Sequence, residues 1–334
     1  VTKPQTYQVC REEFDRILLD RARELGVDVR EGYRVTACDF AADAATIDFA
    51  PREEGTAGRV RVRALVDATG RQGLIARKLN LRTDEPRLAN IAIYSHYRNV
   101  PRLPDDHPND IRLIACDDSG WFWLIPIGEL TSVGVVMPKS LYMQLPEGSP
   151  EERLQRAIED APAVAELMRD AQREWPVRVE KDFSYSASSY AGDRWILAGD
   201  AGSFLDPVFS TGVSIAMESG IEAADELDRA LERNDFSARR FAAFSRRQRK
   251  RFLTFRRFAV GFYTPQFRDL FFNPHPPRLI FRAVVTILAG KWDASPWTRF
   301  LNHIFFAMVG LQKRFALTDN LVRRDREAGY PEEG

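Results

Sequence analysis

The residues best placed for chemistry lie between Trp195 and Val213. Trp195-Ile196-Leu197-Ala198 reads as a buried strand that runs directly into Gly199-Asp200-Ala201-Gly202. A carboxylate at that point sits at the carboxyl edge of a sheet, where α/β folds bind their ligands. Asp200 can there accept hydrogen bonds from sugar or polyol hydroxyls. Further on, Pro207 makes a rigid turn and Ser210-Thr211-Gly212 opens a helix. Free N–H groups and the macrodipole at such an N-terminus favour a negative charge, whether on a ring or on a simple ion. The plainer alternative is that Ser210 or Thr211 only caps the helix.

Two earlier segments carry related chemistry. Arg11 opens a helix after the extended Gln8-Val9-Cys10, and Asp67-Ala68-Thr69-Gly70 is a small-residue turn at a strand end. Other chemistries find little support. Cys10, Cys38 and Cys116 lie far apart and pair with no histidine, as expected of reduced thiols in a cytosolic protein, and no metal site is expected. His96, His107, His275 and His303 are equally scattered, and an ordinary surface or core role suits each. A net charge of zero argues against nucleic acid as a partner.

The elements that must position these residues follow from periodicity. Tyr7–Cys10 reads as extended, 12–25 as a helix with Phe14, Ile17, Leu18 and Leu25 on one face, and Val27–Val29 as the next strand. Val1–Tyr7 reads as the run-up to a strand inside a fold. Strands are predicted at 34–40, 46–49 and 60–66, the last reached through a hairpin loop at 54–58. Ile91–Tyr97, Ile111–Cys116, Trp121–Ile127 and Ser132–Met137 form an antiparallel-sheet pattern, rich in β-branched and aromatic residues and broken by Pro, Asp and Gly. A helix from about 150 to 173, broken near Pro162, follows. Another begins near Thr211 and runs through Leu231, and the last hundred residues read as helical. The predicted class is α/β: a Rossmann-like lobe (residues 1–80 and 190–232), an inserted antiparallel-sheet substrate lobe (81–189) and a helical C-terminal region (233–334).

The chain resembles a known family in its ordered motifs. Gln8 to Asp15, Asp67-Ala68-Thr69-Gly70 and Ala198-Gly199-Asp200-Ala201 look like FAD-contact motifs of the p-hydroxybenzoate hydroxylase-like flavoproteins, which include geranylgeranyl reductases and flavin-dependent halogenases. Two further stretches resemble the halogenases in particular. Trp121-Phe122-Trp123-Leu124-Ile125-Pro126 matches WxWxIP, and Phe204-Leu205-Asp206-Pro207-Val208-Phe209-Ser210-Thr211-Gly212 matches FxxPxxSxG. The resemblance implies an FAD-binding enzyme that uses reduced FAD, O2 and chloride or bromide to halogenate a small molecule, with a separate flavin reductase. It implies that Arg11 lies beside the FAD pyrophosphate or adenosine, and that Asp67, Gly70, Gly199, Asp200 and Pro207 belong to the cofactor site. The amides of Thr211, Gly212 and Val213 would face the flavin ring, with halide at Thr211 and Gly212. Trp121, Trp123, Pro126 and Phe209 would form the active-site wall. Tryptophans on a strand are, on the plainer reading, core residues.

The pattern departs from the family in two places. No GxGxxG loop occurs, and every lysine except Lys3 follows the Arg11 segment, whereas the family's catalytic lysine precedes it. The resemblance therefore implies an upstream segment that carries both. Phe209 stands where tryptophan halogenases carry Glu, which points away from free tryptophan and toward phenolic or pyrrolic substrates, including carrier-tethered ones. Asp182-Phe183-Ser184-Tyr185 resembles a stretch near which some relatives attach FAD covalently. Arg239 to Arg257 holds nine basic residues and no acidic one, with phenylalanines at helical spacing. Its plain reading is core phenylalanines and solvated arginines; the alternative is a docking surface for an acidic carrier protein or an anionic membrane. Competing readings are a monooxygenase or geranylgeranyl-reductase-like enzyme, whose product formation needs no halide, and a non-catalytic docking protein, which holds no FAD.

Overall fold

The computed structural model describes residues 7–104, 108–116 and 120–318. In chain order, α1 (Arg11–Glu24) is followed by β1 (Tyr33–Phe40), β2 (Ala45–Pro51), β3 (Gly58–Val62) and β4 (Leu65–Asp67). Next come α2 (Leu74–Lys78), β5 (Arg82–Asp84), β6 (Asn90–Arg98), β7 (Arg112–Ala115), β8 (Trp121–Ile127) and β9 (Leu130–Pro138). Then follow α3 (Lys139–Tyr142), α4 (Pro150–Glu159), α5 (Pro162–Leu167), β10 (Gln172–Arg173), β11 (Arg178–Lys181), β12 (Tyr185–Ala187), β13 (Ala191–Gly192), β14 (Trp195–Leu197) and β15 (Ser203–Phe204). The chain ends in α6 (Gly212–Arg233), α7 (Ala238–Phe262), α8 (Pro265–Phe271), α9 (Arg278–Leu288) and α10 (Pro296–Phe315). The chain divides into two compact units, one of residues 1–34, 50–56 and 90–182, the other of residues 35–49, 57–89 and 183–334.

The first unit is built on an antiparallel sheet in the order β10-β6-β9-β8-β7, with β11 also paired to β6. Alternation along each strand divides the sheet into two faces. Ile91, Ile93, Phe122, Leu124, Val133 and Val135 join one core with Leu154 and Ile158 of α4. Trp121 and Trp123 point from the other face. A capping box at Ser149 and Glu152 starts α4. The predicted helix to residue 173 stops instead at Leu167, because Gln172 and Arg173 are taken into the ladder opposite Arg98 and Tyr97.

The second unit holds the α/β part. β4 and β14 pair in parallel, with Leu65, Val66 and Asp67 opposite Trp195, Ile196 and Leu197. Val60–Val66, expected as one strand, is two: β3 pairs with β2, whereas β4 changes partner to β14. Tyr190, Ile196, Ala223 and Ala230 form a core with Phe236, Phe241, Phe244 and Phe252, so the start of α7 is packed onto the sheet side of α6. The α7 phenylalanines are core residues, as their spacing predicts.

The predicted strand–helix–strand at the start is only half realised. α1 forms, but Tyr7–Cys10 and Val27–Val29 pair with no strand among the described residues, and Tyr7, Val9 and Val27 are exposed. A strand needs a partner for its backbone groups, and none lies alongside these. The run-up at residues 1–6 lies outside the described residues. No helix among the described residues is long and apolar enough to cross a membrane.

Candidate functional site

Three turns from distant parts of the sequence meet in the second unit. The first follows β4. Asp67, 3% exposed, accepts hydrogen bonds from the Thr69 amide (2.9 Å), the Thr69 hydroxyl (2.6 Å) and the Ile75 amide (2.7 Å). This carboxylate therefore folds the turn and starts α2, while Gly70 adopts φ +62° with open space where a Cβ would stand. The second turn follows β14. The Ala198 amide donates to the Asp67 carbonyl at 2.9 Å, which ties the two strand ends together. Gly199 sits at φ +57°, and its amide donates to the Ser219 hydroxyl of α6 at 2.8 Å. Any larger residue at 199 would press on Ala216, so the turn and helix approach closely.

Asp200 is half-buried on this turn. Its backbone carbonyl accepts the Tyr185 hydroxyl at 2.5 Å, and the Arg82 guanidinium lies 3.7 Å from the centre of the Tyr185 ring. Burial, and next the Asp200 charge, push the Tyr185 hydroxyl up to about 12, so it remains a donor.

The third turn precedes α6. Asp206 accepts from the Val208 amide (3.1 Å) and from the Tyr263 hydroxyl (2.8 Å), which anchors Pro207 and the residues after it to the end of α7. Ser210 takes a left-handed φ of +52°, uncommon outside glycine. Thr211 then stands at the N-cap with no side-chain capping bond. Thr211 is thus the cap by position, as the plain reading allows, but the first-turn amides of α6 receive no side-chain acceptor from it. With Gly212 first in the helix, those amides form an electropositive end beside Asp200.

A cavity of about 40 Å³ is lined by Gly199, Asp200, Thr211 and Gly212 together with Gln248 and Arg251 of α7. Arg251, 2% exposed, donates to Gln248 at 2.8 Å, is paired with Glu222 and Glu218 of α6 and faces the Trp292 ring. Sequence reasoning missed Arg251, Tyr185 and Ser219. Only the basic run around Arg251 drew notice, and nothing local distinguishes the one arginine that turns inward.

The remaining expected residues are distributed as follows. Val213 is exposed on the first turn of α6. Phe209 packs edge-to-face with Phe258 (6.3 Å), Phe262 (5.9 Å) and Phe271 (6.0 Å), in an aromatic cluster of the C-terminal helices. Trp121 and Trp123 belong to the first unit, with ring centres 5.7 Å apart, and Trp123 donates to the Ser132 hydroxyl at 3.1 Å. They leave the sheet on the face away from its main core; Trp121, 3% exposed, is buried as the plainer reading has it, and Trp123 is half-buried. Pro126 alternates to the opposite face. A Cβ at Gly134 would overlap the Trp123 indole, so glycine is needed for that ring to lie flat across β9. Arg11, also in the first unit, forks onto Asp15 at 3.0 and 2.9 Å. Asp182 lies 3.6 Å from Lys139 at a left-handed φ.

Comparison with known proteins agrees with this arrangement. The family model described as tryptophan halogenase matches residues 3–272. The 1H-pyrrole-2-carbonyl-[peptidyl-carrier protein] chlorinase of Pseudomonas fluorescens is 32% identical over 251 residues, covering 73% of this chain and 55% of the relative. Sulochrin halogenase of Aspergillus terreus is 35% identical over 263 residues, covering 70% and 48%. Among solved structures, a flavin-dependent brominase superposes with a TM-score of 0.81 at 28% identity, covering 92% of this chain and 77% of that one. The myxobacterial chondrochloren halogenase gives 0.72 at 28%, covering 93% and 77%. The chain spans about half the length of the curated relatives it matches. With turns, uncapped helix and motifs in the expected order, the chain belongs to the tryptophan halogenase family of flavin-dependent enzymes.

Proposed function

We propose that this chain is part of an FAD-dependent halogenase acting on an electron-rich small molecule, phenolic or pyrrolic, either free or tethered to a carrier protein. The observation that carries this reading is the uncapped N-terminus of α6 at Thr211-Gly212, set beside Asp200. The residues fit a flavin nucleotide. Gly70 and Gly199 keep their turns free of side chains, Asp200 offers a carboxylate to ribityl hydroxyls, and the Thr211–Val213 amides suit an anionic ring edge. Asp67 and Pro207 shape the two turns, and Arg11 is assigned to the pyrophosphate or adenosine.

When bound and reduced by a partner flavin reductase, FAD supplies with O2 the oxidising power that turns chloride or bromide into an electrophilic halogen. The protein's own tasks are to hold the halide at Thr211 and Gly212 and to exclude water, with Trp121 and Trp123 assigned to the wall of the substrate side. Phe209 in place of a carboxylate suits a ring that loses its proton without help. In this reading residues 1–80 and 190–232 carry the cofactor, 81–189 roof the substrate, 233–334 complete the fold, and the enzyme works in the cytoplasm. The carrier-tethered option is supported by relatives named as halogenases of pyrrole-2-carbonyl on peptidyl-carrier protein.

The test is a titration of the chain, with any upstream sequence of its reading frame, against FAD, followed by turnover with a flavin reductase. Saturable binding with a perturbed flavin spectrum and product that requires halide are expected. Product without halide would point to a monooxygenase, and absence of flavin binding would leave a docking protein.

A further inference from the structure

Seven of the nine basic residues of α7 fall into two sets that the sequence alone does not separate. The inward set is neutralised. Arg247 lies 3.5 Å from Glu222 and 3.0 Å from Glu226, Arg251 pairs with Glu222 and Glu218, and Arg256 pairs with Glu85. The outward set is not. Arg239, Arg246, Arg249 and Lys250 are exposed, and none forms an ion pair among the described residues. Spacings of three, four and seven put them on one helical face, where they extend for about 16 Å. Leu253, 48% exposed, continues that face by one turn. The opposite edge of the helix, at Gln248, Arg251, Phe252 and Phe255, lines the cavity beside Asp200 and Thr211.

We infer that the outward face of α7 is the docking surface for an acidic carrier protein that presents the tethered substrate. The inference rests on the carrier-tethered reading above. Four uncompensated cations with one exposed leucine at their end make a face suited to an acidic helix that carries an apolar residue one turn beyond its acids. A partner seated there stands one helix diameter, about 10 Å, from the cavity side. An anionic membrane would also meet cations, but a membrane-binding helix presents a broad apolar face, and the α7 phenylalanines are turned into the core instead.

The test compares the full chain with its Arg246→Glu/Arg249→Glu/Lys250→Glu variant, whose changes are all exposed. Binding of a 1H-pyrrole-2-carbonyl-loaded peptidyl-carrier protein is followed by fluorescence anisotropy over a range of salt. Turnover is measured in parallel on that carrier and on a small thioester of the same acyl group. Docking predicts salt-sensitive binding that the variant weakens by about tenfold or more, while its rate on the small thioester stays at the parent value. Equal carrier binding by parent and variant, or none by either, overturns the inference, and turnover of the thioester then shows whether the halogenase reading survives on its own. Binding of the parent to phosphatidylserine vesicles, lost in the variant while carrier binding is unchanged, overturns it in favour of a lipid surface.

Discussion

Asp67 shows how one buried carboxylate can set a turn, here one proposed to border the cofactor. It takes three hydrogen bonds from Thr69 and Ile75 and so fixes both the exit from β4 and the start of α2. Asp67→Asn keeps the shape but replaces one acceptor oxygen by a donor, which leaves a buried N–H or O–H facing an NH2 group. A loss of about 1–3 kcal/mol in urea unfolding is expected, since an unsatisfied buried donor costs that much. FAD affinity should fall with it, because the Asp67 carbonyl also holds the Ala198 amide next to Gly199 and Asp200. An unchanged unfolding midpoint would mean that the turn is held by something else. Much at this scale was visible beforehand: Gly70, Gly199, Asp200 and Thr211-Gly212 occupy turns and a helix start as their residue types require. Tyr185 was not, because its bond to Asp200 joins residues far apart in sequence and no local pattern marks it.

Among the elements, α7 depends most on charges contributed from elsewhere. Glu85, 8% exposed, precedes the Pro86–Leu88 turn and meets Arg256 of α7. Burial pushes its carboxyl up, but the hydrogen bond and charge of Arg256, with smaller help from Arg87, outweigh that and hold it below the ordinary carboxylate value. A carboxyl depressed in the folded state contributes stability above its unfolded value, roughly pH 4, and loses it as pH falls through the folded value. Arg256→Gln should therefore lower stability at pH 7 and flatten its decline under acid, as urea melts at neutral and acid pH would reveal. Parallel pH curves for the two proteins would rule out this pairing as the cause. The same helix marks a limit of pattern reading. Phenylalanine spacing identified its core face, but the partners of its arginines lie on α6 and before residue 90. The strands expected at Tyr7–Cys10 and Val27–Val29 failed for a related reason: alternation identifies a segment able to pair and says nothing of whether a neighbour is present.

For the whole molecule, the two units carry separate cores, and the candidate FAD turns at 67–75, 199–204 and 211–215 all lie in the second. Hydrogen exchange with and without FAD should show added protection at those turns and none at α4 and α5, since a ligand stabilises first what it touches. Uniform protection in both units would indicate global tightening in place of a local site. The division of the chain also bears on how the protein is made. Residues 90–182, which hold the entire β6–β9 sheet and its α4 cover, are contiguous, so they can close as soon as they have left the ribosome. The core around Ile196 cannot, because it needs Phe241, Phe244 and Phe252, and Glu222 of α6 lacks its ion-pair partners until Arg247 and Arg251 of α7 arrive. The acid–base clasp between α6 and α7 thus makes the second unit the later one to mature. A nascent chain stalled before α7 would expose the apolar side of α6, a form suited to chaperone capture.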